Sequence, residues 1–330
     1  MAKNLVLACP AVNVDRITEI KGNVDRWLRT PSLYRLVEVF DAKVPDNLDL
    51  HGLAKWFLSF SDCWDFRGRQ KQAFDNKVGE GARWLLSDAD LTEEQKSLAL
   101  NAAMDLGLRD NAIPADTDFD FVWILGGAKL SCLLRSRLAV QAIREAGHAP
   151  KAVVLLASMR PIGDAEREAT NTYAPNAETE FDLMVAAAQQ EFNVDENFGE
   201  ERHDDPENAN NSWIVRKYPA GSYDVFVIAA PSSDPEKRRA NSVDTYEFFF
   251  NRFQAPAGSR VLLTTSQIYV PYQHLEAVRT IALPHKIYLD TIGFPPEWGG
   301  ALQGMNEPSN YMQEIRSTIQ SIDRLLTTTI

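Results

Sequence analysis

An apolar run of strand length, Phe121-Val-Trp-Ile-Leu125, stops at two glycines, Gly126 and Gly127. A segment of helical period opens near Ser131 and ends at Gly147, a residue suited to a left-handed helix terminus. Strand, glycine turn and helix in that order form the first unit of a parallel α/β sheet. The alternation recurs downstream. Residues 152–157 read as a second strand, and 181–188 fall in the next helix, opened by Glu178-Thr179-Glu180. Residues 224–230 read as a third strand with its helix at 241–253. Residues 261–265 read as a fourth with a helix over 271–280, and 286–289 as a short fifth. These runs are continuously apolar, as a sheet covered on both faces demands. The fold class expected is therefore α/β, a three-layer sandwich around a parallel sheet.

Before this core, residues 1–115 read as a helical region of four or five helices. Thr30-Pro31 has the look of a helix start, with Leu33, Leu36, Val37 and Phe40 at helical spacing. Leu53, Trp56, Phe57 and Phe60 repeat the pattern, residues 72–86 look helical, and Thr92-Glu-Glu-Gln95 is a capping box. Arg67 and Arg69 stand in an aromatic, charged loop. Residues 116–330 form the second domain. It carries an acidic insertion over about 194–211, read as an exposed loop, then an edge strand over 213–218, and an amphipathic C-terminal helix over 310–326.

Charge excludes some partners. The chain has 34 Lys and Arg against 46 Asp and Glu, a net charge of −12, which repels nucleic acid and anionic membranes. The three cysteines, Cys9, Cys63 and Cys132, are too widely spaced for a disulfide framework or a metal motif. They suggest reduced thiols and a cytoplasmic location. The apolar start is too short for a signal peptide or an anchor. The five histidines are scattered, so no metal site is expected, and no Walker or GxSxG pattern is present.

Ligands of such sheets bind beyond the carboxyl ends of the strands. The loop after the first strand carries Gly126, Gly127, Lys129 and Ser131, with Arg135 and Arg137 in the helix that follows. The glycines would let the backbone approach a ligand, and the helix N-terminus would favour an anion. Ser158 and Arg160 follow the second strand. Ser232, Arg239, Asn241 and Thr245 follow the third, and Ser266 and Tyr269 the fourth. Arg137 is expected to face Arg239, Thr245 and Ser266. Arginines and hydroxyls at equivalent positions suit a polar or anionic ligand, and Glu180 and Glu247 are the acid–base candidates.

The strand-end residues resemble those of the SanA/YdcF-like bacterial domain family over roughly residues 118–290. The likeness lies in Leu125-Gly126-Gly127, Arg137, Glu180 with Met184, Thr245 with Glu247, and Thr264-Thr265-Ser266 with Pro271. The sequence departs from that pattern at Ala157-Ser158-Met159, at Phe248, and at Tyr269 and Tyr272, where relatives place other residues. The resemblance implies a Rossmann-like fold and a small-molecule pocket, with S-adenosylmethionine as the cofactor of one branch. The expected function is a cytoplasmic enzyme binding a nucleotide-like or S-adenosylmethionine-like molecule. The alternatives are a non-catalytic binding or scaffold protein, and a hydrolase or transferase acting on a phosphate or glycan ester. The oligomeric state is left open.

Overall fold

The computed structural model describes residues 16–68, 88, 90–109, 118–253, 255–300 and 306–328. The helix expected over 72–86 lies outside these residues, as do Arg69 and Cys9. The first region supplies α1 (Arg16–Leu28), α2 (Pro31–Glu38), α3 (Leu50–Phe60) and α4 (Glu93–Asp105). Thr92 and Gln95 close the capping box of α4 in both directions. Thr30 precedes α2 with Pro31 at its first turn, but its hydroxyl makes no cap bond and donates instead to the Arg26 carbonyl oxygen at 3.2 Å.

The second region runs β1 (Phe121–Leu125), α5 (Ser131–Ala146), β2 (Ala152–Ala157), α6 (Asp164–Thr170), α7 (Glu180–Phe192), β3 (Gly199–His203), β4 (Trp213–Pro219) and β5 (Asp224–Ala229). It continues with α8 (Ser242–Phe253), β6 (Arg260–Ser266), α9 (Val270–Ala277), β7 (Tyr288–Phe294) and α10 (Pro308–Thr328). Gly147 terminates α5 at φ 73°, and a Thr179–Asp182 capping box opens α7. A π-helical turn, Val278–Ala282, prolongs α9.

The strands form one seven-stranded sheet in the order β3-β4-β5-β2-β1-β6-β7. Five of them are parallel; β4 runs antiparallel to β5, and β3 antiparallel to β4. This is a three-layer, Rossmann-like α/β architecture. α5 and α7 pack on one face, over Val122, Ile124, Val153 and Leu155. The other face, with Trp123 and Leu263, shares a single core with Trp27, Leu36 and Phe57 of the N-terminal helices and Ile315 and Ile319 of α10. Among the described residues no helix is long and apolar enough to cross a membrane.

Three expectations need correction. The acidic insertion is not all loop, because residues 199–203 form β3, and β3 rather than β4 is the edge strand. Every residue of β3 is exposed, so no apolar alternation could announce it. The fifth parallel strand is longer and later than 286–289. It reaches Phe294, and Gly293 near its end lies so close to the Gln267 backbone that no Cβ would fit. The C-terminal helix is buried over most of its length, not along one stripe, because it lies against α3, α4 and α9. Ser317, Thr318 and Ser321 tolerate that burial by donating to carbonyl oxygens one turn back.

Candidate strand-end site

The order of the parallel strands reverses between β1 and β6. α5 and α7 lead away on one face and α8 and α9 on the other, and it is beyond the carboxyl ends at such a reversal that open α/β sheets bind ligands. Pairing of β1 with β6 stops at Ile124 and Thr264, whereas β6 continues against β7 as far as Ser266. Arg135 bridges the gap. It is 2% exposed, donates to the Leu125 carbonyl oxygen at 3.0 Å and to that of Gly126, and reaches Ser266 Oγ at 3.0 Å. Tyr269 lies under the guanidinium, 5.9 Å from ring centre to Cζ.

This position belongs to Arg135 and not to Arg137. Helical residues two apart face different sides, and Arg137 pairs with Glu191 on the surface at 2.9 Å, its side chain 47% exposed. The expected contact of Arg137 with Arg239, Thr245 and Ser266 is therefore replaced by the Arg135–Ser266 bond. Helical phase marks Arg135, four residues after the buried Ser131, as the inward arginine.

The two glycines serve the protein's own packing. A Cβ on Gly126 would collide with Glu180 Oε1 and stand 2.8 Å from the Leu156 carbonyl oxygen. The Gly126 N–H already donates to that oxygen at 2.7 Å. A Cβ on Gly127 would stand 2.7 Å from Ser131 Cβ and 3.1 Å from Arg135 Nη1. The space read in the sequence as room for a ligand is thus filled by Glu180, Ser131 and Arg135. Lys129 completes the turn in the left-handed region at φ 54°, an unusual conformation for a residue with a side chain.

Beside this turn, the segment after β2 builds a cluster of charge. Ser158 donates to Glu180 Oε2 at 2.7 Å, and Arg160 Nε stands 3.5 Å from the same oxygen. The two terminal nitrogens of Arg160 bind Glu166 at 2.6 and 2.8 Å. Glu180 is 8% exposed and Glu166 3%. Burial works against the charge of Glu166, but hydrogen bonds from Arg160 and from the Gly163 and Lys129 backbone N–H groups hold it below the usual carboxylate range. Burial also opposes the charge of Arg160, and its bonds to Glu166 and the field of Glu180 more than offset this, raising its pKa. Burial draws the Lys129 ammonium down, with Glu166 and Glu168 pulling the other way. Cys132, whose thiol donates to the Gly127 carbonyl oxygen at 3.2 Å, is pushed up to about 12 by burial and by Glu180. Tyr173 donates to the Lys129 carbonyl oxygen at 3.3 Å, and burial raises its phenol.

The segment 161–179 that carries Glu166 is pinned at its base. Pro161 bridges to Thr179, the Ile162 N–H donates to the Glu178 carbonyl oxygen at 3.0 Å, and the Glu180 N–H to that of Arg160 at 2.9 Å. No periodic pattern marks α6 in the sequence, so Glu166 escaped sequence reasoning. Ser158 at the end of β2 was legible there, as was Arg160.

The loop after β5 is knitted to itself. Asn241 Oδ1 accepts from the Val243 and Asp244 N–H groups at 2.9 and 3.2 Å, while the Asn241 N–H donates to Asp244 at 2.8 Å. Arg238 binds Asp244, Thr245 donates to the Asn241 carbonyl oxygen at 3.0 Å, and Ser232 Oγ accepts from the Asp234 N–H at 3.1 Å. Burial opposes the Asp244 charge, but Arg238, Ser233 and Asn241 hold its carboxyl down to about 2. These groups cap α8, and Arg239 lies on the exposed side of the same loop. Glu247 stands on the outer side of α8, 3.8 Å from His285, apart from the Glu180 cluster. The structure therefore brings together Gly126, Gly127, Lys129, Arg160 and Glu180, and beside them Ser266 and Tyr269 through Arg135. Arg137 and Glu247 lie elsewhere. Among the described residues no group of His, Cys, Asp and Glu side chains is placed to hold a metal ion.

Comparison with known proteins adds a family. Residues 12–107 match the model of the Rv3785 N-terminal domain. The uncharacterized protein Rv3785 of Mycobacterium tuberculosis (strain ATCC 25618 / H37Rv) is 32% identical over 330 residues, covering 94% of this chain and 90% of that protein. The uncharacterized protein Mb3814 of Mycobacterium bovis is similar to the same extent, 32% over 330 residues. No solved structure matches the chain.

Proposed function

The chain belongs to the family of the mycobacterial protein Rv3785, and we propose that it is a cytoplasmic enzyme that binds a nucleotide-like or S-adenosylmethionine-like molecule at the carboxyl ends of β1, β2 and β6. One observation carries this reading: Arg160, Glu166, Glu180 and the Ser158 hydroxyl are gathered and largely buried at the end of the sheet where α/β folds place ligands. A buried ion cluster adds little stability over an apolar packing of the same volume, so its presence here points to chemistry. In this reading Arg160 and Lys129 face the carboxylate or phosphate of the ligand. Glu180, already accepting the Ser158 proton at 2.7 Å, is the base that draws a proton from a hydroxyl. The resemblance of these strand ends to the SanA/YdcF-like domain supports the same pocket.

The test begins with the purified chain and mass spectrometry of whatever small molecule it retains. It continues with thermal unfolding in S-adenosylmethionine, adenosine nucleotides and sugar phosphates. A ligand at about 100 times its dissociation constant adds roughly 2.7 kcal/mol. Glu180→Gln is expected to keep that stabilisation and abolish turnover, and Arg160→Ala to weaken binding. If none of these compounds raises the unfolding temperature, the reading fails. If binding occurs and Glu180→Gln changes no reaction, a non-catalytic binding protein takes its place.

A further inference from the structure

From the edge strand we infer that the chain forms a two-fold symmetric dimer in which β3 pairs antiparallel with β3 of a second copy, the axis passing through Glu201. Among the described residues nothing pairs with β3 on the side away from β4, and all five of its residues are exposed. An open edge of that kind is a template for another strand, and folds normally blunt it with charge. Here the charges are arranged so that the edge complements itself.

Symmetry restricts the register. Directly opposed residues of an antiparallel pair share a face, and a two-fold axis normal to the sheet preserves faces. The axis must therefore pass through a residue position, never between two. An axis at position 200 sets Glu200 against Glu200, and one at 202 sets Arg202 against Arg202. An axis at 201 sets Glu200 of each copy against Arg202 of the other, twice, and Gly199 against His203. Within one chain Glu200 already binds Arg216 of the neighbouring β4 at 2.6 Å. In the dimer it gains Arg202 of the other copy, beside Arg216 of its own β4 and Arg202 of its own strand at 3.5 Å. The like-charged contact at the axis, Glu201 with Glu201, lies on the opposite face, where each Glu201 is bound by Arg252 of its own α8.

The test uses the full chain. Sedimentation velocity over a range of concentrations is expected to show a monomer–dimer equilibrium. Arg202→Glu, which turns both cross-strand pairs repulsive, should weaken it about tenfold or more. The charge swap that combines Glu200→Arg with Arg202→Glu restores both cross-strand pairs but sets a like charge opposite Arg216, and should recover part of the loss. Opposed residues at the axis have Cα atoms about 4.5–5.5 Å apart, within disulfide range. Oxidised Glu201→Cys is thus expected to give a covalent dimer on a non-reducing gel. Glu200→Cys should not, and the wild-type chain oxidised in parallel is the baseline for both. A chain that stays monomeric, a dimer indifferent to Arg202→Glu, or cross-linking at 200 in place of 201 overturns the proposal.

Discussion

Two clusters in this molecule each set one arginine between two carboxylates. At the strand ends Arg160 lies between Glu166 and Glu180, with all three side chains largely withdrawn from water. On β3 Arg202 lies between Glu200 and Asp204, all on the surface. The distances are alike, 2.6 Å for the shortest pair in each. The surroundings are not. Within one copy water solvates the members of the β3 cluster separately, so breaking a pair there changes the stability of the fold little. The strand-end members have given up that solvation, so each depends on the others. Proximity of opposite charges therefore says little about function until burial is known.

The sharpest test of this contrast removes one carboxylate from the buried cluster. Glu166→Ala leaves Arg160 buried with its bidentate partner gone, and equilibrium urea unfolding should show a loss of about 3–5 kcal/mol. A loss below about 1 kcal/mol would mean that the cluster is effectively solvated like the one on β3. Arg135→Ala strips the Leu125 and Gly126 carbonyl oxygens of a buried donor and should cost about 3 kcal/mol by the same measurement. Gly126→Ala is expected to cost about 2 kcal/mol, through collision with Glu180 and the Leu156 carbonyl oxygen. Adding Glu180→Ala to that variant should recover part of the loss, and full additivity of the two changes would argue against the contact.

A smaller effect is expected from pH. The pKa of Glu166 is lower in the folded chain than its ordinary value of 4.5, so its contribution is fully present above that value and is lost as pH falls through the folded pKa. The stability difference between the wild type and Glu166→Gln should therefore shrink on acidification below about 4.5. A difference constant from pH 3 to pH 6, taken as rough limits, would remove ion pairing as its cause. The smallest change belongs to the surface: Arg137→Ala, losing only its exposed pair with Glu191, should lie within about 0.5 kcal/mol of wild type. Arg135 and Arg137 are two residues apart on one helix, so these variants test helical phase and burial with the same chemistry.

Much of the strand-end region was legible in the sequence. The glycine pair, Arg160, Ser266 and Tyr269 were marked by their place after a strand, and Glu180 as an acid–base candidate at the start of a helix. Helical phase could have corrected Arg137 to Arg135, since Ser131 and Arg135 are one turn apart. The polar residues after β5 were legible as residues but not in their use. Asn241 and Asp244 satisfy each other at the start of α8, and a capping residue and a ligand residue have the same composition. Glu166 and β3 left no trace in the hydropathy pattern. One sits on a short helix in a long connection, the other on a strand exposed along its whole length.

What the sequence determined by itself is the succession of elements: the apolar runs of the parallel strands, Gly147 ending α5, the capping boxes of α4 and α7, and the acidic surface. These are local properties, set by residues a few positions apart. Only the tertiary structure decided which charges are buried, that Gly126 makes room for Glu180 rather than for a ligand, and that α10 joins the N-terminal helices and the sheet in one core. Each of those depends on residues brought together from distant parts of the chain, and burial, which sets the strength of every charge involved, exists only once the fold is complete.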